Sequence, residues 1–269
     1  MIIIDLDPVA FLNVRWYGIF VALGVSALIL WTLWEVKKGA KVSYDTVITA
    51  ALVGIPSGVI VAKLLHIIDN IVIAKLHPEL LLTGPTHIID YTQHPELILS
   101  GQGLTIYGAV LGAALGVWIY SKFSDFQFGY FTDVITPGII LAQAIGRIGC
   151  TLNRCCYGTA CSLPWGIDYG FGPVHPTQIY EIIFLAIMFA VLLKLRGRLE
   201  PSGSIFLVYL SLYSLWRIGL DFIREGAPFL FGLHQAQVIA IIVLAITVSL
   251  LAYRTHWVPR GSQPDSETE

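Results

Sequence analysis

The sequence predicts an all-α integral membrane protein with about seven transmembrane helices in a bundle. Its 269 residues are 56% hydrophobic and only 13% charged, whereas soluble domains average about 25% charged residues. The mean hydropathy is +0.74. Apolar stretches of roughly 20 residues, enough to cross about 30 Å of hydrocarbon, recur along the chain. The basic residues are scattered rather than massed on one face, which argues against nucleic-acid binding.

Seven apolar stretches are long enough, or nearly so, to cross a bilayer. They lie near residues 16–35, 46–68, 104–121, 130–149, 177–195, 203–223 and 235–253. We therefore treat residues 1–269 as a single membrane domain, with residues 257–269 as a disordered cytoplasmic tail. No basic segment and no small-residue cleavage site precede the first stretch, so we expect a retained helix rather than a signal peptide.

The basic residues between the stretches predict the orientation. They follow the first, third, fifth and seventh stretches, as Lys37, Lys38, Lys41, Lys122, Lys194, Arg196, Arg198, Arg254 and Arg260. Positively charged loops stay in the cytoplasm. The N-terminus is therefore expected outside and the C-terminus inside, and loops 69–103 and 150–175 are expected on the outer face.

The first three stretches each bring a polar group toward the outer boundary. Tyr17 opens the first stretch and Tyr107 the third, while Lys63 lies about 25 Å along the second from its cytoplasmic end. Interfacial tyrosines and snorkelling basic side chains are an ordinary alternative. The glycines of GQGLTIYGAVLGAALG, residues 101–116, favour close packing of the third helix against a neighbour.

The fourth stretch carries Arg147 several residues inside its outer end. An arginine in lipid is costly, so it needs a partner, a water-filled cavity or an anionic ligand. The four cysteines of the chain follow directly, as Cys150, Cys155, Cys156 and Cys161. On an oxidising face two disulfides are the leading interpretation, with the pairing open. A four-cysteine metal site and a catalytic or redox thiol remain as alternatives.

The fifth and sixth stretches contribute further polar residues. The fifth begins with HPTQIYE, residues 175–181. In the sixth, Tyr213, Arg217, Asp221 and Arg224 are spaced by four, four and three, so they share one helix face. Arginines bind phosphate oxygens through forked hydrogen bonds and keep their charge. Near the outer boundary of a membrane, this pattern favours a phospholipid head group as the ligand. The seventh stretch, residues 235–253, is apolar.

These motifs resemble the prolipoprotein diacylglyceryl transferases of bacteria. The resemblance covers nearly the whole chain, in order: Arg15-Trp16-Tyr17-Gly18, Ala62-Lys63-Leu64 before His66, Tyr107-Gly108, Asp133 through Gly158, His175 through Glu181, and the Tyr213, Arg217, Asp221 and Arg224 series. It implies a seven-span protein of the bacterial cytoplasmic (inner) membrane with its active site toward the outer leaflet. Such enzymes transfer the diacylglyceryl group of phosphatidylglycerol to the lipobox cysteine of prolipoprotein signal peptides.

The resemblance also implies roles for individual residues. The catalytic candidates are Arg217, Tyr107, Tyr213 and Asp221. The candidates for binding the substrate are Arg147, Tyr17, Lys63, Asn153, Gly158 and Arg224. The expected partners are phosphatidylglycerol, prolipoproteins and membrane lipids, and no metal or cofactor is expected.

The chain departs from the family pattern at several of its motif positions. Tyr107 stands where the family has a histidine, Cys150 where it has an asparagine and Cys155 where it has a glutamate. Lys63 replaces an arginine, and Asp221 replaces a glutamate. Two other functions therefore stay open: a membrane thiol–disulfide oxidoreductase that uses the cysteines, and a phospholipid-binding paralogue without catalytic activity.

Overall fold

Seven α-helices account for most of the part of the chain that the structure describes. This computed structural model describes residues 2–3, 9–11, 14–76, 106–224 and 230–258. The helices are α1 (Trp16–Lys37), α2 (Tyr44–Leu76), α3 (Ile106–Ser121), α4 (Phe128–Leu152), α5 (Thr177–Leu195), α6 (Ser204–Leu220) and α7 (Gln235–Arg254). A 3-10 turn, Asp221–Ile223, continues α6. The predicted all-α membrane fold is confirmed.

Hydropathy alone located these helices to within a few residues, except at two ends. Within the described residues, six helices are long and apolar enough to cross a membrane, and the described apolar segment of α3, Gly108–Ser121, is shorter. Helix α2 continues eight residues beyond its predicted end at residue 68. Helix α4 extends to Leu152, so it includes Cys150.

Segments outside the helices pair through short strands, which the sequence did not predict. They are β1 (Ile2–Ile3), β2 (Val9–Phe11), β3 (Val14–Arg15), β4 (Ile167–Asp168), β5 (Pro173–Val174), β6 (Leu199–Glu200) and β7 (His256–Trp257). β4 and β5 form an antiparallel hairpin with β1 parallel to β4. β2 pairs with β3, and β6 pairs with β7. Trp257, the first residue of the predicted tail, thus lies in a strand, and residues 259–269 lie outside the described residues.

The described helices expose many large apolar side chains and bury several charged ones. Leu30 and Leu215 are exposed, whereas Glu181 and Asp221 are each only 1% exposed. This inversion of the soluble pattern is expected where lipid is the solvent, because polar groups must then find partners within the protein.

The chain divides into two compact units, and one of them consists of residues 1–41 and 129–269. Its apolar core includes Ile140 of α4, Leu185 and Met188 of α5 and Tyr209 of α6. The carboxylate of Asp133 in α4 accepts hydrogen bonds from the backbone N–H groups of Gly203 (2.7 Å) and Phe206 (2.9 Å). These bonds satisfy free donors at the start of α6 and fix that helix against α4. The candidate site lies in this unit.

The other unit, residues 42–128, contains α2 and α3. The two helices approach closely at the glycines: a Cβ atom at Gly58 would lie 2.8 Å from the carbonyl oxygen of Ala109, and one at Gly112 would clash with Ser57. The close packing expected for the third helix is therefore found. Lys63 lies on α2. Tyr107 lies in the first turn of α3, and its side chain is outside the described residues.

Candidate active site

Glu181 connects three helices at one end of the first unit. Its carboxylate lies one turn into α5 and is buried. Oε1 accepts a hydrogen bond from the hydroxyl of Tyr213 on α6 at 2.9 Å and lies 2.9 Å from Nη2 of Arg147 on α4. Oε2 lies 3.9 Å from Nη1 of Arg217 on α6. One carboxylate is therefore shared by the two arginines that the sequence singled out.

Asp221 holds Arg217 from the other side. Its two carboxylate oxygens lie 2.9 and 3.1 Å from Nη2 of Arg217, and its Oδ1 lies 4.0 Å from Nη1 of Arg224. Asp221 is the first residue of the 3-10 turn, so the shared face expected for these residues continues past the end of α6. Its carboxylate orients the Arg217 guanidinium.

The cluster of Arg147, Arg217, Arg224, Glu181 and Asp221 carries a net charge of +1, because three guanidinium groups face two carboxylates. Arg217 is only 9% exposed, and its Nη1 makes no hydrogen bond to any residue that the structure describes. A buried donor without an acceptor costs about 1–3 kcal/mol. The arrangement is suited to bind an anion, and phosphate oxygens match the planar donors of arginine.

The chain turns back sharply after α4. The N–H of Cys155 donates to the carbonyl oxygen of Cys150 at 3.1 Å. Arg154 and Cys156 have φ values of 52° and 66°, a left-handed conformation that costs a residue with a side chain roughly 1 kcal/mol or more. The turn brings the sulfurs of Cys150, Cys155 and Cys156 within 4.8 Å of one another. We call these three residues the cysteine cluster.

The first residues of α5 hold the cysteine cluster in place. The hydroxyl of Thr177 donates to the carbonyl oxygen of Cys156 at 2.6 Å, and the amide of Gln178 donates to that of Cys155 at 2.8 Å. On the other side, Nη1 of Arg147 lies 4.0 Å from the sulfur of Cys150. The cluster and the arginine site are therefore in direct contact.

All four cysteines are free thiols in the structure, and their pairing into two disulfides stays a prediction. Cys161 does not belong to this group of close sulfurs, and its N–H donates to the carbonyl oxygen of Pro173 in β5 at 2.9 Å. Within the cluster, hydrogen bonds from Cys150 and Cys155 stabilise the Cys156 thiolate and lower the pKa of Cys156 well below its usual value, and Arg224 and Arg147 lower it further. Cys156 is thus the residue of the cluster that is poised to carry negative charge.

Gly158 lies where three segments meet. Its N–H donates to the carbonyl oxygen of His175 at 2.9 Å, and it forms an isolated bridge with Arg224. A Cβ atom there would clash with the carbonyl oxygen of Ile223 and lie 2.7 Å from Cβ of His175 and 2.9 Å from Cγ2 of Thr177. The structure therefore gives Gly158 a packing role beside the site.

Gly158→Ala is expected to lower the melting temperature of the protein and its activity together. The added methyl group pushes apart backbone segments that carry Arg224 and Thr177, and overpacking of this kind costs about 1–3 kcal/mol. Thermal unfolding in detergent measures the loss. Gly219→Ala is the matched control, because a Cβ atom at Gly219 has no neighbour within 4 Å. Equal melting temperatures for the two variants would contradict this assignment.

The structure brings together five of the ten catalytic and binding candidates that the sequence predicted. Arg147, Tyr213, Arg217, Asp221 and Arg224 are all in the cluster around Glu181. Tyr17 in the first turn of α1 and Asn153 after α4 lie in the same unit, and Oδ1 of Asn153 is buried without a hydrogen bond among the described residues. Lys63 and Tyr107 belong to the other unit.

Sequence reasoning missed two residues of the site. Glu181, the shared partner of Arg147 and Arg217, was not a candidate, although a carboxylate inside an apolar stretch is itself a signal. Gln178 lies one turn earlier on the same face and is also buried. Its polar side chain at a helix start has no distinctive signature.

Comparisons with known proteins identify the family to which the chain is similar. The family model described as "Prolipoprotein diacylglyceryl transferase" matches residues 3–253. The chain is similar to proteins named phosphatidylglycerol–prolipoprotein diacylglyceryl transferase. One from Dehalococcoides mccartyi is 47% identical over 268 residues, covering 93% of this chain and 95% of the relative. A relative from Clostridium tetani is 34% identical, and the match covers 83% of this chain and 87% of the relative. A relative from Symbiobacterium thermophilum is 31% identical, and the match covers 92% of each chain.

Proposed function

The chain belongs to the prolipoprotein diacylglyceryl transferase family, and on this basis we propose that it lipidates prolipoproteins. The donor is phosphatidylglycerol, whose diacylglyceryl group passes to the thiol of the lipobox cysteine. The names of the relatives support this pair of substrates. The buried Nη1 of Arg217 carries the proposal, because it is a charged donor that lacks a hydrogen-bond acceptor among the described residues.

The phosphate of the lipid supplies the acceptor that Nη1 of Arg217 lacks among the described residues. One phosphate oxygen accepts a hydrogen bond from Nη1 of Arg217. Arg147, whose Nη2 lies 2.9 Å from Oε1 of Glu181, donates to a second phosphate oxygen. Asp221 keeps the Arg217 guanidinium oriented through Nη2. Arg224 adds positive charge at the edge of the site. This arrangement fits a head group with one phosphodiester charge.

The reaction then needs one bond formed and one broken. The acceptor thiol releases its proton to solvent, and its sulfur forms a bond to the diacylglyceryl carbon that carries the phosphate oxygen. The carbon–oxygen bond breaks with its electron pair on the oxygen, and glycerol phosphate leaves. Negative charge grows on the phosphate in the transition state, where fixed guanidinium donors stabilise it most. The leaving group is therefore the part of the reaction that this cluster serves.

The location of the site follows from the same proposal. We place the protein in the bacterial cytoplasmic (inner) membrane with its N-terminus outside, because the basic loops alternate along the sequence. The site then opens toward the outer leaflet, where signal peptides with a lipobox emerge. Tyr107, Tyr213, Lys63 and the other candidates of the family motif keep their proposed roles in catalysis and lipid binding.

A peptide-lipidation assay tests this function. Membranes that contain the protein are incubated with phosphatidylglycerol and a lipobox peptide. The peptide mass is expected to increase by one diacylglyceryl group and to stay unchanged when serine replaces the peptide cysteine. If the mass does not change, while a homologous transferase is active under the same conditions, the proposed function is wrong. Cycling of the protein's cysteines in place of peptide lipidation would favour the oxidoreductase.

A further inference from the structure

We propose that the cysteine cluster is a binding site for a thiophilic d10 cation, Zn²⁺ by preference, with a fourth coordination position open to the acceptor thiol. The role of the fourth position rests on the proposed transferase function, whereas the metal site does not. Three protein ligands and one open position are the usual arrangement of a catalytic zinc site.

The distances within the cluster fit this cation. The sulfurs of Cys150, Cys155 and Cys156 lie within 4.8 Å of one another. Three thiolates around Zn²⁺ at about 2.3 Å are separated by about 3.8 Å. Each pair of sulfurs therefore needs to approach by about 1 Å or less. Rotation about the side-chain bonds supplies this movement without a change in the backbone.

Backbone conformation and hydrogen bonds fix the loop that carries the cysteine cluster. The left-handed residues Arg154 and Cys156 turn the chain so that Cys155 and Cys156 return to Cys150. Thr177 and Gln178 fix both loop carbonyl groups from α5. Strained backbone persists where the surroundings determine it, often at functional sites. Four residues separate Cys150 from Cys155, and none separates Cys155 from Cys156. This spacing is unusual for zinc ligands, and the turn explains how it still brings the three sulfurs together.

Charge and exposure also suit the proposed site. A bound cation holds all three cysteines as thiolates, with the protons they still carry released to solvent, and three thiolates with one divalent cation have a net charge of −1. Nη1 of Arg147, 4.0 Å from the Cys150 sulfur, places a positive charge beside this site. Cys150 is buried, whereas Cys155 and Cys156 are partly exposed. The cation is thus covered on one side and accessible from the other.

The open position supplies what the arginine cluster lacks. Glu181 and Asp221 are both buried in ion pairs, so neither is free to take the proton of an acceptor thiol. A thiol bound to Zn²⁺ is deprotonated, with its proton passing to solvent. The thiolate would be held at the cysteine cluster, whose Cys150 sulfur lies 4.0 Å from Nη1 of Arg147. The sulfur nucleophile is thereby brought toward an arginine that is proposed to bind the phosphate.

Metal content tests the site without any measurement of activity. The full-length protein is purified in detergent with a phosphine reductant, exposed to Zn²⁺ and freed of excess metal by gel filtration. We expect one zinc per chain in the wild type and at least a tenfold lower content in Cys150→Ala and Cys156→Ala. Cys161→Ala is the matched control and should retain one zinc. A wild type without zinc, or a control that loses it too, overturns the proposal.

The wild type alone provides a second test that does not depend on folding of the variants. Cobalt is loaded in place of zinc, and the thiolate-to-cobalt absorption is recorded before and after addition of a lipobox peptide. The spectrum should shift with the cysteine peptide and not with its serine counterpart. Chelator-treated protein should lose lipidation activity and regain it with Zn²⁺.

The outcomes separate the two proposals. Identical cobalt spectra with both peptides, or full transfer by the metal-free protein, overturn the role of the open position and leave the transferase function intact. One zinc per chain without lipidation under any condition contradicts the transferase function and leaves the metal site intact.

Discussion

Arg217→Ala is expected to lower the rate of diacylglyceryl transfer by about 100-fold or more, the usual loss when a transition-state donor is removed. The change removes the buried Nη1 that is proposed to bind the phosphate. It also leaves Asp221 and Glu181 with one positively charged partner fewer. Transfer to a lipobox peptide at saturating phosphatidylglycerol measures the effect. Arg254→Ala is the matched control, because Arg254 is exposed in the last turn of α7.

A conservative variant separates charge from geometry at the same position. Arg217→Lys keeps the positive charge but loses the planar fork that faces Asp221 and the phosphate, so its activity should stay well below that of the wild type. Gel filtration and thermal unfolding establish whether each variant folds. A rate within about threefold of the wild type for the folded lysine variant would show that Arg217 contributes only charge.

The helices were predictable because lipid makes composition informative. Twenty apolar residues in a row have few alternatives to a membrane helix, and the predicted stretches 177–195 and 235–253 agree with α5 and α7 almost to the residue. The strands were not predictable. β4 and β5 have two residues each, and their pairing depends on where α4 and α5 place the loop between them.

The site was predictable only as far as single helices determine it. The spacing of Tyr213, Arg217 and Asp221 fixes one helix face, and hydropathy fixes their depth. The shared carboxylate of Glu181 was not foreseen, because which residue of α5 meets Arg147 of α4 depends on how the two helices pack. The sequence suggested a phosphate as the partner of Arg147, and the structure adds a partner within the protein.

The cysteines illustrate a further limit of sequence reasoning. Their spacing suggested two disulfides and resembled no common metal motif. The left-handed conformations of Arg154 and Cys156, which bring three sulfurs together and leave Cys161 apart, have no sequence signature, because glycine is the usual residue for that conformation. Only the backbone reveals the cluster.

Glu181→Gln is expected to reduce the transfer rate by about 10–100-fold while the protein stays folded. Glutamine has nearly the same shape and still accepts a hydrogen bond from Tyr213. It removes the negative charge that Arg147 and Arg217 share, so the buried cluster changes from a net charge of +1 to +2. Arg147 then loses its carboxylate partner and Arg217 is held by Asp221 alone, so the preorganisation that stabilises the leaving phosphate weakens.

Variants of Glu181 and Tyr213 should differ in how much stability the protein loses. Glu181→Ala leaves Arg147 without its buried counter-charge and should cost about 3–5 kcal/mol of stability. Tyr213→Phe removes one hydrogen bond and should cost about 1 kcal/mol. Glu200→Gln is the matched control, because Glu200 lies on a strand and faces the exposed His256 at 3.6 Å. If Glu181→Gln transferred at the wild-type rate, Glu181 would be a structural partner only, and phosphate binding would not depend on its charge.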